Sequence, residues 1–113
     1  MRIPEIKSRL LREIPKRAVE WQEAFELYVD EVCRSGLVKG LYLIGSRARG
    51  EHSSSSDFDL VAVVGREEDP LEVAEVLMSM RRKGFPLDLL VLREDDLEDP
   101  IYREMLEGKR KLC

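Results

Sequence analysis

The chain has 113 residues, 43% hydrophobic and 37% charged, with a net charge of −4. That length suits one domain, and the apolar share excludes a wholly disordered chain. No run approaches the roughly 18 apolar residues of a membrane span, and Met1-Arg2-Ile3-Pro4-Glu5 opens a charged amphipathic stretch, not a signal peptide.

Cys33 and Cys113 are too few for a disulfide scaffold and lack metal-ligand spacing. The reading is therefore a cytoplasmic protein. Charge is uneven along the chain. Residues 1–17 carry a net +4 and Lys109-Arg110-Lys111 a further +3, so the segment between them holds −11. A protein that grips long nucleic acid needs a basic footprint. The acidic middle argues against extended nucleic-acid binding.

Taken in order, Ile3, Ile6, Leu10 and Ile14 recur at helical spacing until Pro15 breaks the run. The period resumes from Lys16 with Ala18, Trp21, Phe25, Tyr28 and Val32, and Gly36 suits the end of that helix. Leu41-Tyr42-Leu43-Ile44 reads as a short buried strand. Gly45 to Ser56 is a polar loop with room for one helical turn. Phe58 to Val64 is a second strand, closed by Gly65.

Asp69-Pro70-Leu71-Glu72 has an N-cap, a first-turn proline and a glutamate three after the cap. Leu71, Ala74, Leu77 and Met80 are expected on the inner side of the helix it opens, with Gly84 as the stop. Leu87 to Leu92 is a third strand. Asp99-Pro100 opens a short helix with Ile101 and Met105 expected inward. Lys109 to Cys113 reads as a short edge strand guarded by its own charges. The sum is a mixed sheet of about four strands flanked by helices, in the α/β or α+β class.

Two of these strands contain aspartates where apolar residues are expected. On a strand, residues two apart share a face. Asp57 and Asp59 therefore project together, with Phe58 and Leu60 opposite. If the second and third strands pair, Asp88 joins them, because neighbouring strands lie about 4.8 Å apart. Alone, Asp57 after four serines reads equally well as a turn residue, and Asp88 as a strand-end cap. Asp59, flanked by apolar residues, has no such explanation.

Three crowded carboxylates raise one another's pKa and are costly to bury unpaired. A divalent cation relieves both. Oxygen-only ligation favours Mg²⁺, with Mn²⁺ as the other candidate. Such a set can hold two ions about 3.5–4 Å apart, the arrangement used for in-line phosphoryl or nucleotidyl transfer.

Leu43-Ile44-Gly45-Ser46-Arg47-Ala48-Arg49-Gly50 leads into that pair. Glycine lets backbone approach a phosphate closely, and amides opening a helical turn attract anions. The Ser46 hydroxyl can donate, and Arg47 and Arg49 can offset phosphate charge. Ser46 stands eleven residues before Asp57, so the stretch suits a triphosphate cradle beside a metal site.

Gly45-Ser46, ten intervening residues, then Asp57-Phe58-Asp59-Leu60 resembles the signature of the DNA polymerase beta-like nucleotidyltransferase superfamily. The fuller Gly45-Ser46-Arg47-Ala48-Arg49-Gly50-Glu51 string, with Ser56-Asp57-Phe58-Asp59-Leu60, is similar to its minimal members, the MNT-type proteins. Pro100-Ile101-Tyr102-Arg103-Glu104 through Leu112 is similar to the MNT C-terminal end. The resemblance covers about residues 37–113.

It implies the nucleotidyltransferase fold; the length reads as one domain over 1–113, and residues 1–15 depart from the family as a helical extension ahead of its usual first helix. Asp57 and Asp59 would hold both metals. Asp88 would complete the catalytic metal site and help deprotonate the acceptor hydroxyl. Gly45 and Ser46 would hold the β- and γ-phosphates, and Ser56 is a candidate phosphate or metal-water contact. The only histidine, His52, is read as a surface residue in the same loop.

The reaction implied moves AMP from ATP to a hydroxyl and releases pyrophosphate. Many MNT-type proteins are antitoxins paired with a HEPN-domain RNase toxin, and some adenylylate a tyrosine on that partner. Larger relatives carry extra domains that hold the acceptor. Here the acceptor would be small, be a protein with its own docking surface, or be held by a homo-oligomer. Three readings stay open: a protein adenylyltransferase antitoxin, a non-catalytic nucleotide-binding antitoxin, and an antibiotic-type small-molecule nucleotidyltransferase.

Overall fold

The computed structural model describes residues 16–50 and 57–113. The helix expected over residues 3–14 lies outside the described residues. The long helix α1 spans Lys16–Ser35, and Gly36 leaves it at φ +75°, a backbone angle that suits glycine. Strand β1 (Gly40–Ile44) runs directly into a short helix α2 (Gly45–Arg49), the turn for which the polar loop had room. Strand β2 (Phe58–Val64), helix α3 (Pro70–Ser79) and strand β3 (Leu87–Arg93) follow. A 3₁₀ segment (Glu94–Glu98), helix α4 (Pro100–Met105) and strand β4 (Arg110–Lys111) complete the order.

The strands form one mixed sheet in the order β3-β2-β1-β4. β1 runs antiparallel to both β2 and β4, while β2 and β3 are parallel. Helix α3 provides the crossover that a parallel pair needs. Its start is set locally, because the Asp69 carboxylate accepts the Leu71 amide at 3.0 Å and Pro70 occupies the first turn. Asp99 caps α4 in the same way, accepting from Ile101 N at 2.9 Å.

The larger core lies under α1 and α3. Ala24, Phe25, Tyr28 and Val32 of α1 and Val73 and Leu77 of α3 pack on Leu41, Leu43, Phe58, Leu60, Ala62 and Val64. The Tyr28 hydroxyl donates to Leu77 O at 2.8 Å and ties the two helices together. On the opposite sheet face a smaller cluster of Val61, Leu92 and Leu106 packs with Ile44, Leu90, Leu97 and Tyr102. Among the described residues no helix is long and apolar enough to cross a membrane.

Two inner faces differ from expectation. On α3, Leu71 is 77% exposed and Val73 only 7%. Ala74, Leu77 and Met80 pack on the core as expected, and only Leu71 departs, its place against the sheet taken by Val73. On α4, Ile101 is 69% exposed, and Tyr102 and Leu106 turn inward in place of Ile101 and Met105. The expected and observed pairs on α4 are both spaced i, i+4, so a one-residue rotation, about 100°, converts one into the other.

Cys33 and Cys113 are joined as a disulfide with Cα atoms 6.1 Å apart. It links the end of α1 to the chain end beside β4, where Cys113 O accepts the Leu41 amide at 3.1 Å. A pairing across 80 residues leaves no local mark in the sequence.

Candidate active site

β2 is the central strand that carries the acids. Its alternation sends Phe58, Leu60, Ala62 and Val64 toward α1 and α3, which leaves Asp59 on the other face with Val61. Asp57, two residues earlier, precedes the strand and is exposed. The parallel register sets Asp59 opposite Asp88, and the antiparallel register sets Asp59 opposite Ile44. One carboxylate therefore stands between a second carboxylate on β3 and the end of β1, where α2 begins.

Phe58 anchors this end of β2. Its ring stacks on Phe25 with centroids 4.7 Å apart and lies 5.0 Å from Phe85. The Phe58 amide donates to Pro86 O at 2.8 Å, which fixes the start of β2 against the start of β3.

Gly45 is required here for two independent reasons. Its φ is +77°, and a Cβ at this position would sit 2.6 Å from Asp59 Oδ2. The backbone where β1 meets α2 thus lies directly against the Asp59 carboxylate, closer than any side chain allows. Ser46, Arg47 and Arg49 follow on α2. The Arg47 guanidinium carbon lies 3.7 Å over the Phe58 ring centroid. Ser56 and His52 lie outside the described residues.

The electrostatics follow from this crowding. Burial raises the Asp59 pKa, and the charges of Asp88 and Asp57 raise it further. A side-chain hydrogen bond between Asp59 and Asp88 acts in the same direction, and Arg47 opposes it. Burial lowers the Arg47 pKa, against the raising effect of Asp57 and Asp59.

The donor chemistry fits a hard divalent cation: all the candidate ligands are oxygen, and a cation would neutralise the facing Asp59 and Asp88 carboxylates. As they stand, no three acidic, histidine or cysteine side chains among the described residues converge closely enough to hold an ion. The structure thus brings Asp59, Asp88 and the Gly45 backbone together, with Asp57 and Arg47 in electrostatic reach. The stacking of Arg47 on Phe58 and the aromatic anchor of Phe25 and Phe85 were not anticipated. The one available signal was the aromatic residue between the two aspartates.

The family model described as "Polymerase beta, Nucleotidyltransferase" matches residues 29–112. Among curated proteins there is no match. A crystal structure of a Sulfolobus solfataricus protein, provisionally named a nucleotidyltransferase, is similar at 25% identity and a TM-score of 0.60. The match covers 85% of this chain and 86% of that one. A chain from a toxin–antitoxin crystal structure with AMP-PNP shares the fold at a TM-score of 0.53 and 20% identity, over 78% of this chain and 72% of that one. The mixed four-stranded sheet, the acid-bearing central strand and a family match over most of the chain agree: this chain belongs to the polymerase beta nucleotidyltransferase family.

Proposed function

We propose that the chain is a metal-dependent nucleotidyltransferase that moves AMP from ATP to a hydroxyl of a partner protein. In this reading it is the antitoxin of a toxin–antitoxin pair whose toxin is a HEPN-domain protein. The observation that carries the transfer chemistry is the juxtaposition of Asp59, Asp88 and the backbone of Gly45, with Asp57 next to the start of the same strand. The toxin partner is supported by the fold neighbour from a toxin–antitoxin structure.

Asp57 and Asp59 would hold two Mg²⁺ ions, with Mn²⁺ as the alternative, and Asp88 would complete the catalytic metal site. When bound, the ions supply charge neutralisation at the phosphate under attack. The Gly45 backbone and Ser46 hydroxyl position the β- and γ-phosphates, and Arg47, Arg49 and Ser56 complete the cradle. Asp88 takes the proton of the acceptor hydroxyl. The acceptor oxygen bonds to the α-phosphorus as the bond to pyrophosphate breaks. The reading of 1–113 as one domain with residues 1–15 as a helical extension belongs to the same proposal. So does a cytoplasmic setting. The Cys33–Cys113 disulfide tests that setting, because reducing compartments keep most thiols unpaired.

A non-catalytic nucleotide-binding antitoxin is the second reading. It is supported by the fold neighbour from a toxin–antitoxin structure with AMP-PNP.

The test is a labelling experiment. Wild type and Asp59→Asn are incubated with Mg²⁺, ATP labelled at the α-phosphate, and lysate of the source cells. A labelled protein band present only with wild type is expected. No labelled band with any of the four nucleoside triphosphates would remove the protein-acceptor reading and leave the binding-only antitoxin or a small-molecule acceptor.

A further inference from the structure

Arg47 is held in an unusual way for a residue beside an acid cluster. Its guanidinium carbon stands 3.7 Å over the Phe58 ring. The other face of that ring is stacked on Phe25, and Phe58 is 1% exposed. A guanidinium over an aromatic face is fixed by cation–π attraction and planar stacking, which a lysine ammonium on a flexible stem does not reproduce. The ring that seats the cation is itself clamped by Phe25 and Phe85. The two residues flanking Phe58 in the chain are Asp57 and Asp59, whose charges both reach Arg47.

We propose that Arg47 is a positioning residue: a cation seated on Phe58 beside Asp57 and Asp59 that makes divalent-metal binding and nucleoside triphosphate binding depend on each other. The inference rests on the acid set being the metal–nucleotide site. A fixed positive charge weakens the pull of the carboxylates on a lone divalent ion. The same charge attracts a triphosphate, whose negative charge then cancels the repulsion. The metal is therefore held tightly only with the nucleotide, and by linkage the nucleotide only with the metal. An unanchored cation could swing away as the metal arrives. Arg47 can do so only by giving up its stack.

The test is direct binding of Mn²⁺, read from the electron paramagnetic resonance signal of the free ion, with and without a non-hydrolysable ATP analogue. Wild type, Arg47→Gln and Arg47→Lys are compared, each first shown to melt cooperatively. Wild type should bind Mn²⁺ weakly alone and at least about tenfold more tightly with the analogue. Arg47→Gln should bind Mn²⁺ alone about tenfold more tightly than wild type, with the enhancement by the analogue reduced. Arg47→Lys, which keeps the charge and loses the planar stack, should fall between them. Should Arg47→Gln fail to fold, Arg47→Met, which keeps an apolar stem against the ring, carries the same expectation. Equal affinity for Mn²⁺ alone in wild type and Arg47→Gln, with the enhancement intact, overturns this proposal and leaves the site reading standing. No Mn²⁺ binding by any of the proteins, with or without the analogue, overturns both.

Discussion

Along β2, one face sends Phe58, Leu60, Ala62 and Val64 into the core beneath α1 and α3, while the other carries Asp59 ahead of Val61 and a thinner cluster under α4. The first face is built from large, ring-stacked and fully buried side chains. The second gives up apolar area at its Asp59 end to place a carboxylate where the strand begins, between β1 and β3. Because neighbouring side chains on a strand point oppositely, the same seven residues anchor the fold and present Asp59 without either task occupying the positions of the other. Substitutions on the two faces should therefore separate, with the first costing stability and the second costing chemistry.

The largest stability loss is expected from Phe58→Ala. It removes a ring packed on Phe25 and Phe85 and the seat of Arg47, and should cost about 3–5 kcal/mol in denaturant unfolding. A loss below about 1 kcal/mol would break the distinction between the faces, since ordinary surface changes cost about half that. Next is the disulfide. It closes a loop across 80 residues, so Cys33→Ser or full reduction should cost about 2–4 kcal/mol, read as a lower melting temperature. Unchanged melting under reductant would mean that the C-terminal strand is held by its backbone pairing to β1 alone.

Smaller still is Tyr28→Phe, which leaves Leu77 O without its buried donor and should cost about 1 kcal/mol. Burial pushes the Tyr28 pKa up from 10.0 to about 12. The folded state thus holds this proton more tightly than the unfolded one. The associated stability is fully present below about pH 10 and is lost as pH rises toward about 12. Tyr28→Phe should lack that alkaline decline, which a pH series of melting curves would show.

Much of this architecture was readable beforehand, and the exceptions share a cause. The limits of β2 follow from an apolar run bounded by Asp57 and Gly65. The acid site follows from Asp59, which had no bland explanation inside such a run. On α3 only Leu71 was misplaced, but the inner face of α4 was misjudged because that short helix offers two apolar pairs of equal spacing. Only the sheet, by offering Val61 and Leu92 to Leu106, selects between them. The 3₁₀ segment is too short to show a period, and it is tied by the Arg93 amide donating to Asp96 Oδ2 at 2.9 Å. The disulfide and the Arg47–Phe58 stack join positions whose proximity exists only after folding.

The smallest stability change, and the most direct test of the central claim, is Asp59→Asn. The raised pKa of Asp59 means that its ionisation opposes folding: the stability linked to its proton is present at acid pH and lost as pH rises through its titration. Replacing it with asparagine removes that decline along with the repulsion from Asp88 and Asp57. The measurement is thermal unfolding of wild type and Asp59→Asn near neutral pH, with and without Mg²⁺ and ATP. The account predicts that the variant melts at or above wild type without ligand. Mg²⁺ with ATP at about 100 times the dissociation constant should stabilise wild type by about 2.7 kcal/mol and leave the variant unmoved. A destabilised variant, or an equal gain in both proteins, would contradict the assignment of Asp59 to a metal–nucleotide site.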